Sequence, residues 1–285
     1  MGMGDDVLAL SQLLDALRME PVGEGRLVAQ NVGGGRDVVF GGQILAQTIV
    51  AATDAQPGKQ VKTVQTIFAR GGRVTEPLDL VVETMHAGRT FGSVTVTVSQ
   101  GPRLCARSLV LLHDPEPDLI RHADPAPTVD APGTTPSHDY EFDGWEMGVV
   151  GGVDLSDPDD VGEAELVVWT RFRDAPDDLV TSQALLAYST DGFLIGTAMR
   201  PHEGISQAQA HLAISTGVVS HTLTFHEPFR ANQWMLLAQE SPYAGRGRSY
   251  GRAHVFTEDG TLVASFVQDA MIRSFADSAG ERPVL

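Results

Sequence analysis

Two stretches of the sequence repeat each other, and this repetition constrains the fold more than any local pattern does. Residues 66–89 and residues 223–246 match at a constant offset of 157 positions, which pairs Phe68 with Phe225, Glu83 with Glu240, and Ala87-Gly88-Arg89 with Ala244-Gly245-Arg246. Self-similarity at a long period indicates two copies of one structural unit. The chain has 285 residues, enough for two units, since a domain typically has roughly 100–200 residues. The sequence therefore predicts two similar halves.

Each half is predicted to contain a helix followed by long strands. Residues 41–55 and residues 182–196 are apolar or small on nearly every face, which is typical of a helix that is buried all round. In the strand-like stretches that follow, residues 93–100 (SVTVTVSQ) alternate strictly between polar and apolar, as a half-buried strand does. The pattern predicts an α+β fold in which an antiparallel sheet wraps around a buried helix in each half.

A segment rich in proline and acidic residues separates the two halves and is predicted to be irregular. We therefore predict a first unit at residues 1–113, a linker at residues 114–144 and a second unit at residues 145–285. The N-terminal segment has no basic region or cleavage site of an export signal. Its apolar residues have helical spacing and predict an amphipathic helix; they are Val7, Leu8, Leu10, Leu13, Leu14 and Leu17.

The composition excludes several classes of partner. The net charge of -17 would repel a nucleic-acid backbone, so no nucleic acid is expected to bind. No apolar run reaches the roughly 18 residues that span a bilayer, so no membrane partner is expected. Cys105 is the single cysteine and cannot form an intrachain disulfide, which fits a cytoplasmic protein. The histidines lack the spacing of metal ligands, and neither a metal nor a cofactor is expected.

One carboxylate, Asp191, interrupts the apolar stretch AYSTDGFLIGTAM at residues 187–199. Two interpretations are open. On the apolar face of a helix, a carboxylate must be hydrogen-bonded or shifted in pKa, because an ionised group that is buried and unpaired is very costly, and this would mark a functional group. Alternatively, Thr190-Asp191-Gly192 ends one helix and caps the next.

Five blocks of sequence carry a family likeness: FGGQILAQTIVAA at 40–52, VETMHAGRTF at 82–91, QALLAYSTDGFLIGTAMRPH at 183–202, FHEPFRANQWML at 225–236 and DGTLVASFVQDAMIR at 259–273. Through these blocks the sequence resembles the acyl-CoA thioesterase II family over nearly its whole length. The resemblance implies a double hotdog fold of two tandem hotdog repeats. It also implies hydrolysis of fatty acyl-CoA substrates without a metal or a cofactor, and assembly into a homo-oligomer.

The resemblance further implies particular site residues. In the family, an aspartate on the second hotdog helix, a serine or threonine on the following strand and a glutamine on the last strand hold and activate a water. The aspartate corresponds to Asp191 and the glutamine to Gln268. The family pattern Ser/Thr-x-Asp-His falls on residues 218–221, where Val218 replaces the hydroxyl. Ser220 and, as the alternative, Thr222 are candidate substitutes, because residues 218, 220 and 222 of a regular strand point to the same face.

Two further sets of residues are candidate substrate contacts. Gly41, Gly42 and Gln43 at the start of the first helix would let a thioester or a phosphate approach the backbone N–H groups, with a turn before a buried helix as the alternative. Arg246 and Arg248 would capture the phosphates of coenzyme A, with solvated surface arginines as the alternative. The valine in place of the hydroxyl leaves two functions open: an acyl-CoA thioesterase, or an acyl-CoA-binding protein with weak or lost hydrolysis.

Overall fold

The computed structural model describes residues 8–33, 35–140 and 142–275. Their helices are α1 (Leu10–Ala16), α2 (Gly41–Ala55), α3 (Leu179–Thr190) and α4 (Leu194–Met199), with short 3-10 helices at Val150–Gly152 and Gln207–Gln209. Their strands are β1 (Leu8–Ala9), β2 (Glu20–Gly23), β3 (Arg26–Ala29), β4 (Gln60–Phe68), β5 (Leu78–Ala87), β6 (Phe91–Gln100), β7 (Arg103–His113), β8 (His138–Asp139), β9 (Phe142–Asp143), β10 (Trp145–Val149), β11 (Glu165–Phe172), β12 (Ile214–Phe225), β13 (Met235–Gly245), β14 (Arg248–Thr257) and β15 (Leu262–Ser274).

Thirteen of these strands form one continuous sheet in the order β2-β3-β5-β6-β7-β4-β12-β15-β14-β13-β11-β10-β8. The first six strands of this order come from the first half of the chain and the other seven from the second half. The halves meet where β4 pairs antiparallel with β12, with Ile67 opposite Ser220 and Thr63 opposite Thr224. β1 and β9 pair with each other separately, in parallel. The two repeats therefore share one sheet.

The central helices α2 and α3 pack against each other and against the buried face of the sheet. Their apolar residues belong to one hydrophobic core that draws on both halves. The helices approach closely, because a Cβ atom at Gly42 would lie 2.3 Å from the carbonyl oxygen of Tyr188. The bounds of α2 match the predicted helix at residues 41–55. Among the described residues, no helix is long and apolar enough to cross a membrane.

The alternating pattern in β6 places one row of valines in the core. Val94, Val96 and Val98 are fully buried, while Thr95 and Thr97 between them are only partly covered. Alternation of this kind is expected for a strand with one face on the core and one in solvent. The strand prediction for residues 93–100 is therefore confirmed.

Three features differ from the expected elements. The helix predicted at residues 182–196 is divided, because α3 ends at Thr190 and α4 begins at Leu194. The N-terminal helix runs only over Leu10–Ala16, and Val7, which was expected in it, lies outside the described residues. The predicted linker contains β8 and β9 near its end, since Phe142 is buried in the core. The unit boundaries themselves stay a prediction.

Candidate active site

Asp191 lies at the C-terminal end of α3, in the break before α4, with helical backbone angles (φ −81°, ψ −7°). Its half-buried side chain reaches across to the other repeat. The Asp191 Oδ2 atom accepts a hydrogen bond from the backbone N–H of Gly42 at 3.1 Å. Both interpretations of the sequence therefore hold in part: Asp191 ends a helix, and its carboxylate is also held within the protein by a specific donor.

Gly41 and Gly42 allow the carboxylate to approach the first turn of α2. A Cβ atom at Gly41 would lie 2.6 Å from Asp191 Oδ2 and 3.2 Å from the tip of the Phe68 ring. A helix N-terminus carries partial positive charge and exposed N–H donors, which stabilise an anion there. The glycines thus bring the negative charge of one repeat to the favourable end of the helix of the other.

Gln268 on β15 lies beside the end of α3 and is almost completely buried (1% exposed). Its Nε2 amide donates a hydrogen bond of 3.0 Å to the carbonyl oxygen of Thr190, the residue before Asp191. Its Oε1 atom is buried and makes no hydrogen bond with any other described residue. A buried amide oxygen is a strong acceptor, so Gln268 presents an acceptor close to the backbone that carries Asp191.

His221 and Thr190 complete this cluster, and the sequence did not single them out as site residues. The Thr190 hydroxyl donates to the carbonyl oxygen of Ala187 at 2.9 Å and lies 2.9 Å from His221 Nε2. Because the hydroxyl has one proton, Nε2 is the donor to Thr190 and Nδ1 is the unprotonated nitrogen. Burial lowers the pKa of His221 to about 3, so the ring is neutral. The available signal was the histidine that closes the family pattern at residues 218–221.

A β-bulge in β12 changes the side on which Ser220 lies. Val218 is opposite Ala270 and Ser220 is opposite Asp269. Neighbouring residues of a strand point to opposite faces, so Val218 and Ser220 do too. The Ser220 hydroxyl instead donates to Asp269 Oδ2 at 2.8 Å. The expectation that Ser220 shares a face with Val218 is wrong, because the register shift between them adds one residue to this strand.

Arg246 and Arg248 are exposed and are not brought to this cluster. Arg246 and Gly247 form the two-residue turn between β13 and β14 and both have positive φ angles (55° and 73°), and Arg248 is the first residue of β14. Arg248 is opposite Met271, whereas Gly251 is opposite Gln268. Positions three apart on a strand point to opposite faces. Arg248 therefore extends from the other face of the sheet.

Gln43 uses both ends of its buried amide within the protein. Its Oε1 accepts the N–H of Val32 at 3.0 Å, and its Nε2 donates to Asn31 Oδ1 at 2.8 Å. These bonds fix the segment that leads into α2. Gly41 and Gly42 directly precede Gln43 in the chain, so holding the Gln43 side chain in place also holds the backbone of the two glycines.

The first half carries an apolar counterpart of this cluster. In the first half Val64 on β4 is opposite Val110 on β7, and in the second half His221 is opposite Gln268. The repeat aligns Val64 with His221 at an offset of 157 and, after a slip of one residue, Val110 with Gln268 at an offset of 158. All four side chains are buried. Of the two equivalent places in the described chain, only one is polar. Within the described residues, no group of three or more histidine, cysteine, aspartate or glutamate side chains could hold a metal ion.

Two family models match the chain. Residues 28–113 match the model described as acyl-CoA thioesterase N-terminal domain, and residues 117–272 match the acyl-CoA thioesterase C-terminal domain. Together these matches cover both repeats, in the order in which the structure places them.

Individual known proteins are also similar to this chain over most of their length. The chain is 28% identical over 284 residues to acyl-CoA thioesterase 2 of Haemophilus influenzae, which covers 93% of this chain and 98% of that protein. It is 27% identical over 262 residues to acyl-coenzyme A thioesterase 8 of Rattus norvegicus, covering 83% of this chain and 80% of that one. Among solved structures, the acyl-CoA thioesterase II TesB2 of Mycobacterium marinum is similar with a TM-score of 0.78 and 27% identity, covering 95% of this chain and 100% of that chain.

Proposed function

Since the chain belongs to the acyl-CoA thioesterase family, we propose that it hydrolyses fatty acyl-CoA thioesters to a free fatty acid and coenzyme A. The double hotdog fold predicted from the sequence is confirmed by the same family matches and by the similar solved structure. The proposal concerns what the residues of this chain do on that fold.

The observation that carries the proposal is the hydrogen bond between Gly42 N–H and Asp191 Oδ2. It joins the N-terminus of one repeat's helix to a carboxylate at the end of the other repeat's helix. Hydrolysis of a thioester needs a base for the attacking water and donors for the negative charge that develops on the carbonyl oxygen. Where the two helices meet, the Asp191 carboxylate is available as the base, and the N-terminus of α2 is available to donate hydrogen bonds to the carbonyl oxygen.

We assign Asp191 as the general base and Gln268 as the group that orients the water. The water oxygen attacks the thioester carbonyl carbon while its proton passes to the Asp191 carboxylate. The buried Gln268 Oε1 accepts the second hydrogen of the water. The N–H of Gly42 is bound to Asp191 and that of Gln43 to the carbonyl oxygen of Phe40, so we assign the N–H of Gly41 as the donor toward the developing oxyanion. The C–S bond then breaks, and the proton on Asp191 passes to the departing sulfur, which leaves as the thiol of coenzyme A.

A second function is favoured by the outward position of Ser220 and by Val218 on the inner face. Without a hydroxyl at this place the water loses one orienting partner, and loss of one such polar contact typically costs about a hundredfold or more in rate. The alternative is an acyl-CoA-binding protein with weak or lost hydrolysis.

Release of the thiol from a panel of acyl-CoA chain lengths tests the proposal. We expect release above background, and we expect Asp191→Asn to lower kcat by at least about a hundredfold, because the amide keeps an acceptor for Gly42 but is no base. Asp54→Asn, which changes an exposed carboxylate of α2, serves as the matched control and should leave kcat unchanged. No release with any chain length, together with binding of acyl-CoA, would favour the alternative.

A further inference from the structure

The two repeats build a surface pocket at the start of each central helix. The first, of about 370 Å³, is lined by residues 36–38, residues 71–75 and Arg103, and we name it the basic pocket. The second, of about 710 Å³, is lined by residues 177–179, 228–230 and 232–234 together with Arg171, residues 257–259 and Thr261, and we name it the acidic pocket. The repeat relates them, since Arg73 aligns with Arg230 at the offset of 157.

The pockets have opposite charge although they occupy equivalent positions. The basic pocket contains three arginines and one aspartate: Arg36, Arg73, Arg103 and Asp37. The acidic pocket contains two arginines and four carboxylates: Arg171, Arg230, Asp177, Asp178, Glu258 and Asp259. Where the first repeat has Arg103, the first residue of β7, the second has Thr261, just before β15. Arg103 is therefore particular to the first repeat, whereas Arg73 has an arginine, Arg230, at the equivalent position.

Ion pairing also differs between the two pockets. In the acidic pocket Arg230 forms a salt bridge of 2.9 Å with the lining residue Asp177. In the basic pocket Arg73 pairs with Glu76 at 2.8 Å, and both side chains are largely exposed (64% and 46%). An exposed ion pair contributes little, typically below about 1 kcal/mol. The pair of Arg230 and Asp177 is exposed to a similar degree (57% and 52%), so the pockets differ in the place of the carboxylate: Asp177 lines the acidic pocket, whereas Glu76 does not line the basic one. An incoming anion in the basic pocket can therefore compete for Arg73 without meeting that carboxylate in the lining.

The basic pocket lies on the side of the molecule that carries Asp191. Val38 in its wall precedes Gly41 by three residues, a span of at most about 11 Å. The Arg36 guanidinium lies 4.6 Å from the centre of the Phe40 ring, and Phe40 packs edge-on against Tyr188 of α3 at 5.0 Å. The acidic pocket instead includes Asp178, which caps the other end of α3, about 18 Å away along a helix of 12 residues.

We propose that the basic pocket binds the 3′-phosphorylated ADP portion of coenzyme A. This inference rests on the proposed function and names the place where the far end of its substrate is held. Guanidinium groups bind phosphate oxygens in bidentate geometry. A chain with a net charge of -17 repels a polyanionic substrate overall, so a local positive pocket is needed to hold it. The pantetheine arm, in extended form, connects the pocket to the thioester beside Asp191.

Binding of adenosine 3′,5′-bisphosphate, measured by calorimetry, tests the site without any turnover. We expect the wild-type protein to bind it, and Arg103→Gln and Arg36→Gln each to weaken binding by about tenfold or more. The matched control is Arg230→Gln in the acidic pocket, which should change the affinity less than twofold. Weaker binding of adenosine 5′-diphosphate and of inorganic phosphate than of the bisphosphate supports recognition of the nucleotide. Equal affinities in wild type and Arg103→Gln, equal affinities for all three anions, or no binding to wild type would overturn the proposal.

A kinetic comparison separates this inference from the proposed function. Octanoyl-CoA is compared with the octanoyl thioester of N-acetylcysteamine, which has the same thioester but no nucleotide. Arg103→Gln should raise KM for octanoyl-CoA by about tenfold and leave kcat/KM for the short thioester unchanged. Equal losses on both substrates would overturn the pocket assignment. No hydrolysis of either substrate by the wild type would refute the proposed function, while the calorimetric result would still decide the nucleotide site.

Discussion

The substitution Gly41→Ala separates the position of the carboxylate from the stability of the fold. The new methyl group would lie 2.6 Å from Asp191 Oδ2, whereas ordinary contact begins at 3.4 Å. The carboxylate must therefore retreat by about 0.8 Å, and the neighbouring Phe68 ring must give way slightly. The backbone itself does not resist alanine, because Gly41 has no positive φ angle.

The two effects of this substitution differ in size. Overpacking costs about 1–3 kcal/mol, and alanine returns about 0.4–1 kcal/mol because it restricts the unfolded chain. The net loss is therefore between about 0 and about 2.6 kcal/mol, which lowers Tm by at most about 10 °C in a chain of this size. A misplacement of about 1 Å at a reacting group can cost a hundredfold in rate. We therefore expect kcat to fall by about a hundredfold while the protein stays folded.

The assay is thiol release at saturating acyl-CoA, with Tm measured on the same samples. Gly133→Ala is the control, because a methyl group there meets nothing within 4 Å, and it should leave both quantities unchanged. If Gly41→Ala keeps wild-type kcat, then the carboxylate is not held against the first turn of α2 during turnover. The assignment of Asp191 to that place would then be refuted.

Three further predictions concern the strand that carries His221. Val218→Thr returns a hydroxyl to the inner face beside His221 and should raise kcat by about tenfold or more; unchanged kcat would mean that the hydroxyl has no role in this chain. Ser220→Ala removes a hydroxyl bound to Asp269 on the outer face and should change kcat less than twofold, so a large loss would contradict the bulged register. Burial lowers the pKa of His221 from 6.5 to about 3, so its contribution to stability is complete above pH 6.5 and is lost as the pH falls from 6.5 toward 3, by up to about 1.4 kcal/mol per pH unit. Urea unfolding gives the free energy of unfolding at each pH between 6.5 and 5, and this free energy should change less with pH in His221→Leu than in wild type. His202→Leu, which changes an exposed histidine, is the control. The same pH dependence of the free energy of unfolding in His221→Leu and in wild type would contradict this account.

Local sequence predicted the elements whose burial is uniform. The helix α2 was predicted with its observed bounds, because every face of it is apolar or small and its end coincides with a polar segment. The strand at residues 93–100 was predicted for a different reason, its strict alternation of polar and apolar residues, which places its valines in one buried row. The repeat added the double architecture, since two copies of one unit must adopt similar structures.

Contacts between residues that are far apart in the chain could not be predicted from local sequence patterns. The bond from Gly42 to Asp191 joins positions 149 residues apart, and no local pattern reports it. The pairing of β4 with β12 depends on how the two repeats dock. The bulge after Val218 inserts one residue into β12, and no turn residue at this position indicates it in the sequence. The prediction therefore placed Ser220 on the wrong face of the sheet. Thr190 and His221 were missed because each looks like an ordinary core residue until their partners are known.

The site is divided between the two repeats, so the chain cannot be separated into its repeats without separating the site. Within the part of the chain that the structure describes, neither half holds both the glycine turn and the carboxylate, and the first half has Val64 and Val110 where the second has His221 and Gln268. Two identical repeats would contain two such places, whereas among the described residues only the second repeat has the polar pair. Because each repeat supplies one partner of the hydrogen bond between Gly42 and Asp191, neither repeat alone would carry the proposed site.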